Sequence, residues 1–115
     1  MKSLSLSVLL LLTWISAPAF AHARLVKSLP MEGAHVKSPA HIVLTFSEAL
    51  EPAFSGALLM DRDGRNLSGD PVKVGGRVIT LTPGRLEPGD YIVSWHSVGH
   101  DGHRLEGRLH LHIRP

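Results

Sequence analysis

The amino-acid sequence predicts an all-β fold, a Greek-key sandwich or small barrel of about seven strands. Three observations carry that expectation. Beyond residue 21, apolar and polar residues alternate in short runs; the runs are broken at close intervals by Gly, Pro, Asp and Asn; and the apolar spacing of an amphipathic helix is absent.

In chain order, a first strand is expected over residues 24–29, ended by turn signals at Pro30 to Gly33 and at Ser38-Pro39. Ile42, Leu44 and Phe46 then point to one side and Val43 and Thr45 to the other, the period of two that marks a half-buried strand. Further strands are expected over residues 56–61, 71–74 and 77–82, separated by the turn-forming pieces Asp61 to Gly64 and Gly75-Gly76. After Pro83-Gly84 and Pro88-Gly89, Tyr91, Val93 and Trp95 share a face opposite Ile92, Ser94 and His96. The clearest alternation follows Asp101-Gly102: Leu105, Gly107, Leu109, Leu111 and Ile113 interleave with Glu106, Arg108, His110, His112 and Arg114, one face for the core and one for water.

Residues 1–21 have the layout of a secretory signal: Lys2, an apolar run over 4–15, and Pro18 ahead of the small-residue site Ala19-Phe20-Ala21. The run is shorter than the roughly 20 residues of a membrane span, and no Arg-Arg pair precedes it, so a Sec-type signal removed on export is expected, leaving a chain that does not span the membrane. The remaining residues, 22–115, suit a single domain. The chain has no cysteine, which removes disulfides and thiolate metal sites together. The formal charge of +2 drops by one with Lys2, the basic residues are scattered and aromatics are few, so a nucleic-acid surface is not expected.

Cleavage between Ala21 and His22 would leave a histidine at the new N-terminus. A free α-amine and an imidazole on one residue can grip one metal ion as a chelate, which an internal histidine cannot do because its nitrogen is an amide. Nitrogen ligands in a flat arrangement favour Cu(II) among the divalent first-row ions. The start reads His22-Ala23-Arg24, without a histidine at the third mature position, so further ligands must come from far along the chain. The stretch Gly99-His100-Asp101-Gly102-His103 offers a carboxylate and an imidazole two residues apart. Taken alone it reads first as a turn carrying a surface histidine, since Asp-Gly is a hairpin signal. His35, His41, His96, His100, His110 and His112 read as solvated side chains, with a second metal patch on the wet face of the last strand as the alternative for His110 and His112. Met31 and Met60 read as loop and core residues.

Taken together, these pieces resemble the CopC family of small exported copper-binding proteins. The resemblance runs along nearly the whole of residues 22–115. It rests on His22-Ala23 with Leu25; on Ser28, Pro30, Gly33 and Ala34; on Leu44-Thr45-Phe46-Ser47-Glu48 with Glu51-Pro52-Ala53-Phe54-Ser55-Gly56; on Leu86 with Pro88-Gly89-Asp90-Tyr91; on Val93, Trp95 and Val98; and on Asp101-Gly102-His103 with Gly107. It implies a cupredoxin-like or immunoglobulin-like Greek-key sandwich that binds Cu(II) at one end. Carried over position by position, it implies His22, Asp101 and His103 as metal ligands and Glu48 as an outer-shell carboxylate. A methionine-rich Cu(I) site found in some members has no counterpart, because residues 54–78 contain only Met60.

The expected function is that of a monomeric periplasmic protein of copper homeostasis and resistance, not an enzyme, carrying or buffering one Cu(II) per chain and delivering it to a CopD-like membrane protein acting in trans. The alternatives are a copper-dependent oxidative enzyme of the histidine-brace type and a structural or adhesive sandwich without metal.

Overall fold

The structure, a computed structural model, describes residues 22–115; the export signal expected over residues 1–21 lies outside the described residues. Eight strands follow in order: β1 (Leu25–Leu29), β2 (Ala34–Val36), β3 (Ile42–Phe46), β4 (Gly56–Met60), β5 (Lys73–Gly75), β6 (Val78–Leu81), β7 (Gly89–Val98) and β8 (Arg104–Ile113), with a 3-10 turn over Pro52–Phe54 before β4. Two four-stranded sheets form, in the orders β1-β3-β6-β5 and β2-β8-β7-β4. The chain crosses repeatedly between them, which is the Greek-key sandwich the alternating pattern predicts. All pairings are antiparallel except β2 with β8, which is parallel.

The inward faces follow the period of two. Ile42, Leu44 and Phe46 of β3 and Ile79 and Leu81 of β6 are fully buried, and they meet Leu59 of β4, Val93 of β7 and Leu109, Leu111 and Ile113 of β8. Burying such side chains contributes on the order of 1.5–3 kcal/mol each, the main favourable term in a chain without disulfides. Beside this core the Phe46 and Trp95 rings meet edge to face with centroids 5.3 Å apart.

The sequence pattern missed one strand and displaced another. β2 has only three residues, is flanked by turn-forming residues, and lies at a sheet edge pairing with β8 alone, so it carries too little alternation to be read. The strand expected over 71–74 begins two residues later, at Lys73, because its register is set by pairing with β6: Lys73 opposite Thr80 and Gly75 opposite Val78. Among the described residues no helix is long and apolar enough to cross a membrane.

β7 and β8, ten residues each and paired from Gly89–Ile113 to Val98–Arg104, are the frame that positions the site. Gly107 of β8 lies opposite Trp95, and a Cβ there would overlap the indole ring. Gly107→Ala should therefore destabilise the fold by about 1–3 kcal/mol through overpacking. Urea unfolding of the two proteins measures it; equal midpoints would mean that the indole moves aside freely.

Candidate metal centre

The site lies where the chain enters β1 and where the hairpin between β7 and β8 turns. Residues 99–103 form that turn: the Gly102 amide donates to the Gly99 carbonyl at 3.1 Å, and Gly102 takes φ +77°, a left-handed value that favours glycine. Asp101 folds back on its own loop, Oδ1 accepting from the His103 backbone N–H at 3.0 Å, a local turn that leaves Oδ2 facing the two imidazoles. His22 Nδ1 lies 3.1 Å and His103 Nδ1 3.2 Å from that same Oδ2. The two imidazoles meet edge to face with centroids 4.8 Å apart.

His22 is brought to this loop by main-chain contacts. Ser47, directly after β3, donates its hydroxyl to the His22 carbonyl at 3.1 Å, receives the Arg24 amide at 2.9 Å, and its own amide donates to the Arg24 carbonyl. Ser97, fully buried on β7, donates to the Ala23 carbonyl at 2.5 Å. Ala23 is itself fully buried, in contact range of Gly99. The arm is held by two hydroxyls and one methyl, so His22 has little choice of direction.

The Asp101 side chain is only 7% exposed, whereas those of His22 and His103 are 45% and 61% exposed. The carboxylate is the enclosed floor, and the imidazoles form an open rim. The His103 backbone N–H, its imidazole, and the positive charge the two rings can carry hold the Asp101 carboxyl below the usual carboxylate range, against the opposing effect of burial. An ionised oxygen between two imidazoles suits a cation. One nitrogen or oxygen from each of His22, Asp101 and His103 lies within 4.8 Å of the others, the grouping of three such donors among the described residues. Donors about 2 Å from one ion must approach each other a little more closely than that, which small side-chain rotations achieve.

All three ligand residues expected from the sequence are thus together. Glu48 is half-buried, and among the described residues no hydrogen bond or ion pair joins its carboxylate to the side chains of His22, Asp101 or His103; the contact to the arm comes from Ser47. His100 turns away, its Nδ1 3.2 Å from Glu51, on the surface where the sequence places it. His96, expected to be solvated, is half-buried with its ring against Gly56, and burial followed by the charge of Arg104 pushes its pKa down. Ser47 and Ser97 were not singled out as functional. The signal for Ser97 was present: it continues the inward series of Tyr91, Val93 and Trp95, where a hydroxyl requires a buried partner.

Comparison with known proteins shows the family and the fold. Residues 25–114 match the family model for the CopC domain. Copper resistance protein C of Xanthomonas campestris pv. juglandis is 35% identical over 108 residues, covering 86% of this chain and 85% of that one. The crystal structure of CopC from Methylosinus trichosporium OB3b superposes with a TM-score of 0.75 at 31% identity, over 82% of this chain and 95% of that one. PcoC of Escherichia coli, described as a methionine-rich copper resistance protein, gives a TM-score of 0.69 at 29% identity, over 82% of this chain and all of that one.

Ser97→Ala would leave the buried Ala23 carbonyl without a donor. It should cost about 1–3 kcal/mol in unfolding free energy and broaden the NMR signals of the His22 ring, whereas Ser94→Ala, on the opposite face of β7, should change neither.

Proposed function

The chain belongs to the CopC family, and from that premise we propose that it is a periplasmic Cu(II)-binding protein of copper resistance, a carrier or buffer rather than an enzyme. The observation that carries this reading is the convergence of His22, Asp101 and His103 from opposite ends of the chain.

Removal of residues 1–21 frees the α-amine of His22, so the ligand set becomes that amine, the two imidazoles and one oxygen of Asp101. Three nitrogens and a carboxylate oxygen in a square favour Cu(II) over its first-row neighbours, by geometry and by the general affinity order. Asp101 lowers the charge of the loaded centre and is ionised well below neutral pH, so the imidazoles and the amine are the groups from which protons must leave. Glu48, next in sequence to the serine that holds the His22 carbonyl, serves as the outer carboxylate, and loss of such a group weakens metal sites by roughly 10- to 100-fold.

The open rim of exposed imidazoles suits hand-over, because an acceptor can replace ligands one at a time from the solvent side. A CopD-like membrane protein is the proposed acceptor, meeting a monomeric carrier in trans. An oxidative enzyme would need an open copper position and a surface for its substrate. Here Asp101 stands in the ligand set, and of Phe46, Phe54, Tyr91 and Trp95 only Phe54 is exposed. Met31 and Met60, the two methionines after residue 21, are too few for a thioether Cu(I) cluster.

Untagged protein beginning at His22 should bind one Cu(II) tightly. Asp101→Ala or His103→Ala should weaken that binding by more than the roughly 10- to 100-fold expected for an outer-shell partner, with the apo fold kept because both residues lie in a loop. Asp101→Ala also gives up its turn hydrogen bond to the His103 N–H, at a small cost in stability. One residue added ahead of His22 should do comparable damage; undiminished affinity with an unchanged copper EPR spectrum would exclude the amine chelate.

Copper should also clip the arm to the hairpin. At a free Cu(II) concentration about 100 times the Kd the folded state gains about 2.7 kcal/mol, several degrees in melting temperature. No shift on adding one equivalent would overturn the metal reading altogether.

A further inference from the structure

A second group of histidines lies on the water-facing side of the β2-β8-β7-β4 sheet, away from the loop that joins β7 to β8. His35 of β2 is the register partner of His112 of β8, and His112 is the register partner of Asp90 of β7, so the three form one row across three adjacent strands. The His35 and His112 rings stack with centroids 4.5 Å apart and planes 19° from parallel. His112 Nδ1 is hydrogen-bonded to Asp90 Oδ1. A carboxylate on Nδ1 keeps the proton there and leaves Nε2 with its lone pair free, the arrangement by which proteins orient metal-binding histidines. Among the described residues the His35 ring stacks on His112 and makes no side-chain hydrogen bond, so it is also free to donate a lone pair.

We propose that His35 and His112 form a second, weaker site for a borderline divalent cation such as Zn2+, with Asp90 positioning His112 and water filling the remaining positions. Two Zn–N bonds of about 2.1 Å at a tetrahedral angle set the nitrogens about 3.4 Å apart. Stacked rings point their lone pairs along nearly parallel planes, so binding requires the exposed His35 ring to swing out of the stack about its side-chain torsions while Asp90 holds His112; the strands need not move. The backbone that carries them is already tied down: Glu32, ahead of β2, accepts from both the backbone N–H and the ring of His110, each at 2.8 Å, and the Gly33 amide donates to the His110 carbonyl. Water is free to complete the coordination, since the His112 and Asp90 side chains are 40% and 56% exposed. Two protein nitrogens on an open face make a weaker site than four ligands that include an enclosed carboxylate, so tightly bound copper stays at the loop and this row fills afterwards. The bound ion would bridge the short edge strand β2 to the long strand β8.

The test uses the chain with one residue added ahead of His22 and with Asp101→Ala and His103→Ala, which removes the amine chelate and the loop ligands together, titrated with Zn2+ at neutral pH and followed by calorimetry and by the imidazole nitrogen signals in NMR. The expected result is one Zn2+ that shifts the Nε2 signals of both His35 and His112. His35→Ala with His112→Ala should abolish it, and Asp90→Asn should weaken it by roughly 10- to 100-fold. Because the His35, His112 and Asp90 side chains are open to solvent, circular dichroism should show that their replacement leaves the apo fold the same. Zn2+ binding that leaves the His35 and His112 signals unmoved, or that survives the double replacement undiminished, overturns the proposal. The Cu(II) reading of the loop is tested separately, on the chain with Asp101 and His103 intact.

Discussion

The candidate centre depends on how two residues at the start of the domain are held. A chain entering its first strand is ordinarily loose, and a ligand on a loose arm loses conformational entropy each time it binds. Here the Ser97 and Ser47 hydroxyls take the carbonyls of Ala23 and His22, and Ala23 is buried beside Gly99. The cost of ordering the arm is met during folding, by the same β7 strand that carries the ligand loop at its end. The His22 ring is thereby delivered within hydrogen-bond reach of a carboxylate 79 residues away.

Asp101 organises what arrives. One oxygen closes its own turn on the His103 amide, and the other faces both imidazoles, so the group that shapes the loop also supplies the negative charge. Its enclosure and the exposure of the two rings divide the labour: the floor fixes position, and the rim stays open to exchange. That division suits a protein that must hold an ion and also give it up, and it follows from a five-residue hairpin whose glycines let the backbone turn while the side chains converge.

The sandwich also separates its surfaces. The loop site lies at one end, whereas the row of Asp90, His112 and His35 crosses a sheet face, where the ladder register alone makes neighbours of residues from three strands. Carboxylates stand against histidine nitrogens at both places, but for different reasons. At the loop one carboxylate serves two rings from distant segments. On the sheet each ring has its own partner, Asp90 for His112 and Glu32 for His110, as cross-strand neighbours on a wet face often do.

Much of this was legible in the residues. The period of two in Ile42–Phe46 and in the last ten-residue strand reports which side chains face the core, because a strand alternates its faces whatever it packs against. Glycine and proline mark the turns because they act on their own backbone. The candidate donors were legible too, since His22, Asp101 and His103 carry their chemistry as single residues. Partnership was not. The three-residue strand β2 exists only because β8 accepts it in parallel, the start at Lys73 is set by β6, and Ser47 stands at the arm beside the Glu48 that the family resemblance implies. Which His112 neighbour stacks and which one hydrogen-bonds is likewise a matter of sheet order. Alternation, turns and ligand chemistry are local properties of the chain, so the sequence by itself determined them; long-range pairing depends on free energy shared between segments dozens of residues apart, and only the tertiary structure decided it.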